Sequence, residues 1–334
     1  MKTRNSILFL VLGALAVLLF LLDLAVGSVS IPVRQIVAAL FGGDCPEDVS
    51  NIVLNVRLIK AVVALLAGAA LGVCGLQMQT FFRNPLAGPY VLGISSGASL
   101  GVALYVLGAP IVGLPAVFMS LGVAGAAWIG AALVLVLIAA VSHRVKDIMV
   151  ILILGMMFSS GIGAVVQILQ YLSRDEALKS YVVWTMGSLS DVTGVQMWIL
   201  VPAVVAGLVI SIGTIKPLNL LLFGPEYARS MGLNVGRTRS LLFLTATLLV
   251  GTVTAFCGPI GFIGLAIPHV TRMLTGNSDH RVLMPATMLS GAAILTACDI
   301  ISKALVLPVN AITALLGIPI VVWVVLKNSR TFAS

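Results

Sequence analysis

The sequence predicts an all-α protein that crosses a membrane many times. Hydrophobic residues make up 60% of its 334 residues and charged residues only 9%, and the mean hydropathy is +1.16. Long apolar runs recur along the chain, and many approach the ~20 residues that a helix needs to cross a bilayer. This composition excludes a soluble domain that hides its apolar residues in a core.

The apolar runs divide into ten predicted membrane-spanning helices. The first run follows a short basic segment and resembles a signal peptide, but its length favours a helix that is retained. Breaks at residues 83–85 and 258–259 divide runs that are too long for one span, and residues 307–310 form a tight turn. The predicted spans cover residues 7–22, 58–80, 90–107, 115–141, 148–171, 195–215, 240–257, 259–274, 282–305 and 311–326.

The segment 258–281 is apolar enough for lipid but cannot be an ordinary span. Its apolar part is too short to cross a bilayer, and it contains Pro259 and Pro268. Proline leaves a backbone carbonyl without its helical hydrogen bond, and glycine has no side chain to shield the backbone from lipid. Such a segment is stable at membrane depth only where it contacts other protein or a water-filled cavity. Short segments of this kind mark transport pathways. A similar sequence follows Gly88-Pro89, which indicates two related halves.

Small residues four positions apart predict close helix packing. Gly68 with Gly72, and Gly97 with Gly101, would let neighbouring helices approach without lipid between them.

The distribution of charge predicts the orientation. The net charge of +8 comes from basic residues in alternate loops, and we expect no nucleic-acid partner. Ten spans put both termini on one side of the membrane, and the positive-inside rule assigns them to the cytoplasm. We predict one transmembrane domain, residues 1–334, with an outer loop at 28–56, an outer short helix within 173–193 and a cytoplasmic hairpin at 216–239. The basic residues predicted to lie outside are Arg34, Arg57, Lys60, Arg174, Lys179 and Lys303.

The predicted hairpin, residues 216–239, is the longest inner loop and is amphipathic. Pro225 and Glu226 suit a helix start, Gly232 suits a helix end, and Asn234 can cap a second short helix. A solvated loop that rests on lipid headgroups is one interpretation. A docking surface for a soluble partner is the other, because charged side chains lie beside apolar ones: Glu226, Arg229, Arg237 and Arg239 beside Tyr227, Met231 and Leu233.

These motifs resemble the FecCD/BtuC family, the membrane permeases of binding-protein-dependent ABC importers for ferric siderophores, haem and cobalamin. The family's coupling segment E-x-A-x-x-L-G is similar to Glu226, Ala228, Met231 and Gly232 here, with Met in place of Leu. Other family motifs occur in the same order, and the resemblance covers nearly the whole chain. They are RNPLAGPYVLGISSGA from residue 83, WTMGS from 184, GPIGFIGLAIPHVTR from 258, DHR from 279 and LPVNAITALLGIPI from 307.

The resemblance implies a BtuC-like, type II importer permease fold with ten spans and interrupted short helices. It implies a homodimer with one pathway at the dimer axis, two ABC ATPase subunits below it and a periplasmic or lipoprotein binding protein above. The residues that it assigns to ATPase coupling are Glu226, Ala228, Arg229, Met231 and Gly232.

The chain is not expected to be an enzyme. It has no GxxxxGK[ST] motif, so ATP and Mg²⁺ would be bound by the partner ATPase and no cofactor by this chain. Its four cysteines are far apart, which favours packing over a disulfide, metal or redox site.

The resemblance also implies outer residues that dock the binding protein. The family pattern R-L-P-R is similar to residues 57–60 here, and D-x-x-x-R to Asp299 with Lys303. Arg57, Lys60 and Lys303 would therefore meet glutamates of the binding protein, although lysine keeps the charge and loses the bidentate fork of arginine. The alternative is snorkelling at helix ends. We expect Asp299 to pair with Lys303, one turn later.

The resemblance places a cytoplasmic gate and a pathway as well. Asn84 and Leu86 would narrow the exit, although a plain turn explains Asn84-Pro85 equally well. The fifth span would line the pathway, and its candidate residues are Met156, Met157, Ser159, Ser160, Gln167 and Gln170. The two glutamines could instead bond neighbouring helices.

The main hypothesis is a permease subunit for an iron complex, a ferric siderophore or haem, with cobalamin as the alternative cargo. An intramembrane serine protease would use the GxSxG match at residues 93–97 with His269, but that motif needs a strand-turn-helix context. A proton- or sodium-driven carrier would need carboxylates inside the membrane, and only Asp23 and Asp299 come near it.

Overall fold

The computed structural model describes residues 2–27, 29–109, 119, 121–145 and 147–332. Within these ranges the chain is helical, and no strand occurs. The helices are α1 (Lys2–Ala25), α2 (Val33–Phe41), α3 (Glu47–Phe81), α4 (Ile94–Gly108), α5 (Gly122–Arg144), α6 (Ile148–Leu172), α7 (Asp175–Thr185), α8 (Gly194–Gly213), α9 (Ile215–Leu221), α10 (Pro225–Ser230), α11 (Val235–Cys257), α12 (Ile263–Thr275), α13 (His280–Leu305) and α14 (Val309–Phe332).

Seven helices in the described part of the chain are long and apolar enough to cross a membrane, namely α1, α3, α5, α6, α8, α11 and α13. Helices α4 and α14 have shorter apolar stretches. The prediction of an all-helical protein with many spans is confirmed, and the number ten stays a prediction. The predicted start of the fourth span at Pro115, and the loop residue Lys146, lie outside the described residues.

The chain forms two compact units. Unit 1 consists of Met1–Leu76, Ser188–Pro202 and Ile260–Ser334, and unit 2 of Gln77–Gly187 and Ala203–Pro259. Each unit contains one interrupted segment: α12 in unit 1, and in unit 2 a 3-10 helix, Pro89–Leu92, that precedes α4. Because unit 1 uses both ends of the chain, the units do not coincide with an N-terminal and a C-terminal half.

In unit 1, glycines bring the backbones of α3, α12 and α13 into direct contact. A Cβ atom at Gly68 of α3 would overlap the carbonyl group of Gly291 on α13. A Cβ atom at Gly75 would overlap the backbone of Gly264 on α12 in the same way. Helix α1 packs along α13. The spacing of Gly68 and Gly72 predicted that α3 approaches a neighbouring helix closely, and this prediction is confirmed. The glycines of α3 form the surface that α12 and α13 contact.

In unit 2, α4 packs against α5 through a second set of small residues. A Cβ atom at Gly97 would lie 2.5 Å from the carbonyl oxygen of Gly130, and one at Gly101 would overlap the carbonyl oxygen of Ala126. On α6, Gly155 leaves room for the carbonyl group of Val91, just before α4. The prediction for Gly97 and Gly101 is confirmed as well.

The helix break between α11 and α12 follows from backbone geometry that few residues tolerate. Gly258 has φ of +71° and ψ of 179°, and in unit 2 a Cβ atom there would lie 2.5 Å from the carbonyl oxygen of Trp184. In unit 1, Phe262 has φ of +64°, which is unusual for a residue with a side chain. The backbone N–H of Gly261 donates to Asn310 Oδ1 at 2.9 Å. Asn310 thus satisfies a backbone donor that the break leaves outside a helix.

Two local expectations differ from the structure. The predicted outer loop at 28–56 contains α2 and the start of α3, because Pro32 and Pro46 each lead into a helix. Helix α3 then passes through a π-helical segment, Val53–Arg57. The predicted second short helix after Asn234 is wrong, since α11 continues from Val235 to Cys257 without a proline to end it.

Replacing Gly68 by Ala tests the backbone contact between α3 and α13. The added methyl group overlaps the Gly291 carbonyl, so the helices must separate, and we expect a loss of about 1–3 kcal/mol of stability. The control is Gly13→Ala in α1, where nothing lies within 4 Å of the added carbon. Thermal unfolding in detergent should separate the two variants, and equal midpoints would contradict the contact.

Candidate functional site

Two short helices in unit 2, α9 and α10, build the hairpin that precedes α11. Gly224, with φ of +102°, turns the chain after α9, and Pro225 begins α10. Gly232, with φ of +85°, reverses the chain after α10. Asn234 caps α11 by accepting a hydrogen bond from the backbone N–H of Arg237 at 2.9 Å. The predicted start, end and cap of the hairpin are confirmed.

The residues assigned to coupling differ in exposure. Glu226 and Arg229 are exposed and form an ion pair of 2.6 Å, which contributes little to stability because solvent screens it. Met231 is exposed by 58% and Gly232 is exposed. Ala228 is fully buried, so it can only position α10. The exposed face thus combines a charged pair with a large apolar side chain.

Aromatic side chains extend this exposed face. Phe223 is exposed by 71% and Tyr227 by 49%, and their ring centroids are 5.4 Å apart. Beside them lies a cavity of about 210 Å³, whose lining includes Phe81, Glu226 and Arg229. An apolar patch with a charged rim next to a cavity is suited to receive a side chain of a protein partner.

Arg239 has a different role from the one that the sequence indicates. Its Nη1 donates to the carbonyl oxygen of Val145 at 3.2 Å, at the C-terminal end of α5. The guanidinium therefore compensates an unpaired helix-end carbonyl and holds the start of α11 against α5.

A buried polar network anchors the hairpin, and the sequence analysis missed it. Gln77 Nε2 donates to Thr214 Oγ1 at 3.2 Å, and Thr245 Oγ1 donates to Gln77 Oε1 at 2.9 Å. All three side chains are buried. Gln77 of α3 therefore connects the residue before α9 with α11, at both ends of the hairpin. A buried glutamine in an apolar span is the one local signal for such a network.

The predicted gate residues lie in the turn after α3. Asn84 Oδ1 accepts a hydrogen bond from the backbone N–H of Leu86 at 2.9 Å, so the amide stabilises the turn itself. The Leu86 side chain is exposed by 48%. A Cβ atom at Gly224 would lie 3.6 Å from Arg83 Nη1, which places this turn beside the hairpin. The gate role stays a prediction.

In unit 1, a cluster of five charged side chains joins the C-terminal parts of α1 and α13 to the interior of α3. Lys303 Nζ lies 2.8 Å from Asp23 Oδ1 and 2.9 Å from Asp299 Oδ2, and Lys60 Nζ lies 3.2 Å from Asp299 Oδ1. Both carboxylates are buried. The expected pair of Asp299 with Lys303 is present, but Asp299 is shared with Lys60, and Lys303 also binds Asp23 on α1.

Arg57, the fifth member of this charge cluster, is 4% exposed. Its guanidinium donates to the carbonyl oxygens of Leu24 at 2.9 Å and Ala25 at 3.0 Å, and also to that of Val29. These carbonyls lie at or just beyond the C-terminal end of α1, where helical partners are lacking. Arg57 thus caps the C-terminal end of α1 with its guanidinium group, and this side chain does not extend into solvent.

The three predicted docking residues therefore lie together, but each is tied to an internal partner. Arg57, Lys60 and Lys303 line one cavity of about 170 Å³, together with Ser190. The snorkelling alternative does not describe this arrangement, because the charged groups bind buried acids and carbonyls rather than reaching for water. Docking at this cavity stays a prediction.

The predicted pathway residues on α6 do not form one group. Met156, Met157 and Ser160 are exposed. Ser159 lies 3.1 Å from the position of a Cβ atom at Gly93, so it packs at the start of α4. Gln167 and Gln170, two turns further along, line a separate cavity.

This separate cavity has a volume of about 310 Å³ and lies within unit 2. Its polar lining is formed by Ser95, Ser96, Ser99, Gln167, Gln170 and Tyr181. The hydroxyl groups of Ser99 and Tyr181 are 2.6 Å apart. Burial raises the pKa of the Tyr181 phenol above its usual range, so this group stays protonated. The sequence analysis identified the two glutamines but assigned no pathway role to the serines or Tyr181.

The structural context of Ser95 does not fit a nucleophile elbow. A 3-10 helix, Pro89–Leu92, precedes it, and Ser95 lies in the first turn of α4. The elbow requires a strand before the serine.

Comparisons with known proteins agree with this architecture. The chain matches the model of the FecCD transport family over residues 15–327. The hemin transport system permease protein HmuU of Yersinia pestis is 35% identical over 327 residues, which cover 96% of each chain. The vitamin B12 import system permease protein BtuC of Klebsiella pneumoniae is 36% identical over 284 residues, which cover 82% of each chain.

A solved structure shares the fold along almost the whole chain. It is a metal-chelate type ABC transporter in an inward-facing conformation, with a TM-score of 0.82 at 28% identity, and the match covers 97% of this chain and 99% of that one. Fold and relatives together define a multi-span permease subunit of an ABC transporter, a class of subunits that are not enzymes themselves. The chain belongs to the FecCD transport family.

Replacing Lys303 by Met tests the buried charge cluster. Because Asp23 and Asp299 both lose a cation, we expect a loss of about 3–5 kcal/mol of stability. The double variant Asp23→Asn/Lys303→Met removes one stranded charge and should recover part of this loss. Thermal unfolding in detergent measures both, with Lys179→Met on the exposed face of α7 as the control. A Lys303→Met midpoint equal to that of the control would refute a structural role for the cluster.

Proposed function

We propose that this chain is the permease subunit of an ABC importer that carries an iron complex, a ferric siderophore or haem, across the inner membrane. The observation that carries the proposal is the hairpin at residues 216–239, whose helix α10 has an exposed face, within a chain that belongs to the FecCD transport family. The subunit forms the pathway and hydrolyses nothing. ATP and Mg²⁺ are bound by a partner ATPase, and this chain binds no cofactor.

The proposed topology has ten spans with both termini in the cytoplasm. The seven long apolar helices, the two shorter ones and the interrupted α12 are compatible with that number. The concentration of basic residues in alternate loops supports the orientation. The hairpin then faces the cytoplasm, and the charge cluster lies at the outer surface.

The proposed assembly is a homodimer with two ABC ATPase subunits and a periplasmic or lipoprotein binding protein. One ATPase subunit grips each hairpin. Met231, Tyr227 and Phe223 supply an apolar contact, and Glu226 with Arg229 provides a charged rim that fixes the orientation of the partner. Ala228 acts indirectly, since it is buried beneath this surface.

The hairpin is built to transmit movement of the ATPase to the helices. Gln77 joins both ends of the hairpin to α3, and the turn that contains Asn84 and Leu86 follows one turn of helix later. Rotation of the hairpin would therefore move α3 and its turn together, because a buried hydrogen bond resists separation. This arrangement supports the proposed gate at Asn84 and Leu86.

Docking of the binding protein is proposed at the cavity lined by Arg57, Lys60 and Lys303. The cluster has three cations and two carboxylates, and this excess of positive charge suits a glutamate of the partner. The pathway is proposed along α6, from Met156, Met157, Ser159 and Ser160 to the two glutamines.

The alternative cargo is cobalamin, and the relatives support it to the same degree as an iron complex. One relative is named for hemin and another for vitamin B12, at nearly equal identity. The permease class is the same in both cases, so the cargo is decided by uptake measurements with each compound.

Uptake into proteoliposomes that contain the complex with its ATPase tests the energy source. We expect transport to need ATP inside the compartment that faces the hairpin, and to continue when proton and sodium gradients are abolished by ionophores. Cyanocobalamin, haemin and a ferric siderophore, each offered with the cognate binding protein, identify the cargo. Uptake that an ion gradient alone drives, without ATP, would overturn the proposed function.

Replacing Glu226 by Ala or Gly232 by Val tests the coupling role of the hairpin. We expect ATP hydrolysis by the assembled complex to continue while uptake per ATP falls at least tenfold, because ATPase closure no longer moves the hairpin. Glu47→Ala is the matched control, since Glu47 is also exposed and also follows a proline in the first turn of a helix. Normal uptake in both hairpin variants would refute the coupling.

A further inference from the structure

We propose that the polar cavity of unit 2, lined by Ser95, Ser96, Ser99, Gln167, Gln170 and Tyr181, is a selectivity subsite for an uncharged amide group of the transported chelate. This inference rests on the proposed function, and it states which chemical class of chelate the pathway accepts. Chelates whose peripheral groups are free carboxylates are disfavoured at this site.

The first argument is the arrangement of hydrogen-bonding groups. Ser95 and Ser96 lie in the first turn of α4, and Ser99 lies in the next turn. Gln167 and Gln170, one turn apart on α6, complete the polar lining together with Tyr181 on α7. Three separate helices therefore direct hydroxyl and carboxamide groups to one volume of about 310 Å³.

The second argument is that most of these groups have no partner inside the chain. The side chains of Ser95, Ser96, Gln167 and Gln170 make no hydrogen bond within the part of the chain that the structure describes. By contrast, two serines of α6, Ser159 and Ser160, donate hydrogen bonds to carbonyl oxygens of their own helix. These four side chains are half-buried or exposed, so water satisfies them until a ligand with matching donors and acceptors takes its place.

The third argument is charge. None of the nine lining residues is an aspartate, glutamate, lysine, arginine or histidine. The charged residues nearest in sequence to Tyr181, such as Lys179 and Glu176, are exposed on α7 and do not line the cavity. A carboxylate bound here would have no cation to compensate its charge.

The fourth argument is the match of donors and acceptors. A primary amide has two N–H donors and a carbonyl acceptor, as each glutamine side chain does, so both kinds of group find a partner. A carboxylate accepts only, and it would leave the glutamine Oε1 atoms unpaired. A site built to pair both donors and acceptors discriminates strongly against a ligand that lacks one kind.

The volume decides which part of the cargo is bound. A cavity of about 310 Å³ is at the lower limit for a pocket that encloses a small ligand. It can hold a peripheral substituent but not a whole macrocyclic chelate. Gln167 is exposed, so the cavity is open and the rest of the chelate can remain outside it.

Equilibrium binding to the full chain in lipid nanodiscs tests the proposal without the ATPase or the binding protein. The probes are cyanocobalamin, which carries primary amides, ferrichrome, which carries peptide amides and hydroxamates, and haemin, which carries two carboxylates. We expect at least one of the two amide probes to bind at least tenfold more tightly than haemin. Empty nanodiscs provide the blank for partition of each probe into lipid.

The variant Gln167→Lys places a cation in the cavity at an exposed position that should not disturb folding. It should weaken binding of the amide probe about tenfold, which corresponds to ~1.4 kcal/mol, and should strengthen binding of haemin. The matched control is Ala164→Lys, which adds the same charge to an exposed position of α6 outside the cavity and should change neither. Ser96→Ala, which removes one hydroxyl group, should weaken only the amide probe.

Three results would overturn the subsite. They are haemin binding at least as tightly as both amide probes, equal effects of Gln167→Lys and Ala164→Lys, and the absence of saturable binding of any probe. ATP-driven uptake that depends on Glu226 could still occur in each case, so failure of the subsite is distinguishable from failure of the proposed function.

Discussion

The structure depends on the requirement that each backbone polar group at membrane depth finds a partner in the protein. Continuous helices meet this requirement by themselves, but the break between α11 and α12 does not. There the chain needs the conformation of Gly258 on one side and the side chain of Asn310 on the other, which accepts from the Gly261 N–H at 2.9 Å. A residue about fifty positions later therefore supplies the acceptor for one backbone donor of the interrupted helix.

The charge cluster of unit 1 meets the same requirement for side chains. The side chains of Asp23 and Asp299 are buried. Burying a carboxylate costs hydration free energy, and nearby cations are needed to offset this cost. Lys303 and Lys60 supply them, while Arg57 neutralises the open carbonyl end of α1. Because the cluster combines residues of α1, α3 and α13, it adds ionic contacts between three helices that apolar packing also holds together.

Local features of the fold could be predicted from the sequence. Pro225, Gly232 and Asn234 determine helix ends through their own backbone and capping preferences, and the structure places them as expected. The spacing of Gly68 and Gly72 predicted close packing for a similar reason. The second short helix was wrong because Asn234 indicates where a helix begins but not where it ends, and α11 continues to Cys257.

Contacts between distant residues could not be predicted in this way. Asp23 and Lys303 are 280 positions apart, and Gln77 and Thr245 are 168 apart, so neither partner has a local pattern that identifies the other. The polar cavity shows the same limit. The glutamines of α6 were found through a family resemblance, whereas Ser95 drew notice only as part of a GxSxG match, and only the fold brings both to one cavity.

The glycine contacts of unit 1 have a consequence for how such a chain can diverge. Gly68 and Gly75 of α3 press directly on the main chain of Gly291 and Gly264, so no smaller side chain on the opposite helix could make room for a larger residue at either position. A larger residue on one helix therefore cannot be compensated by a smaller residue on the other, which is the usual way in which packed surfaces change. These helix crossings can therefore accept larger residues only if whole helices shift.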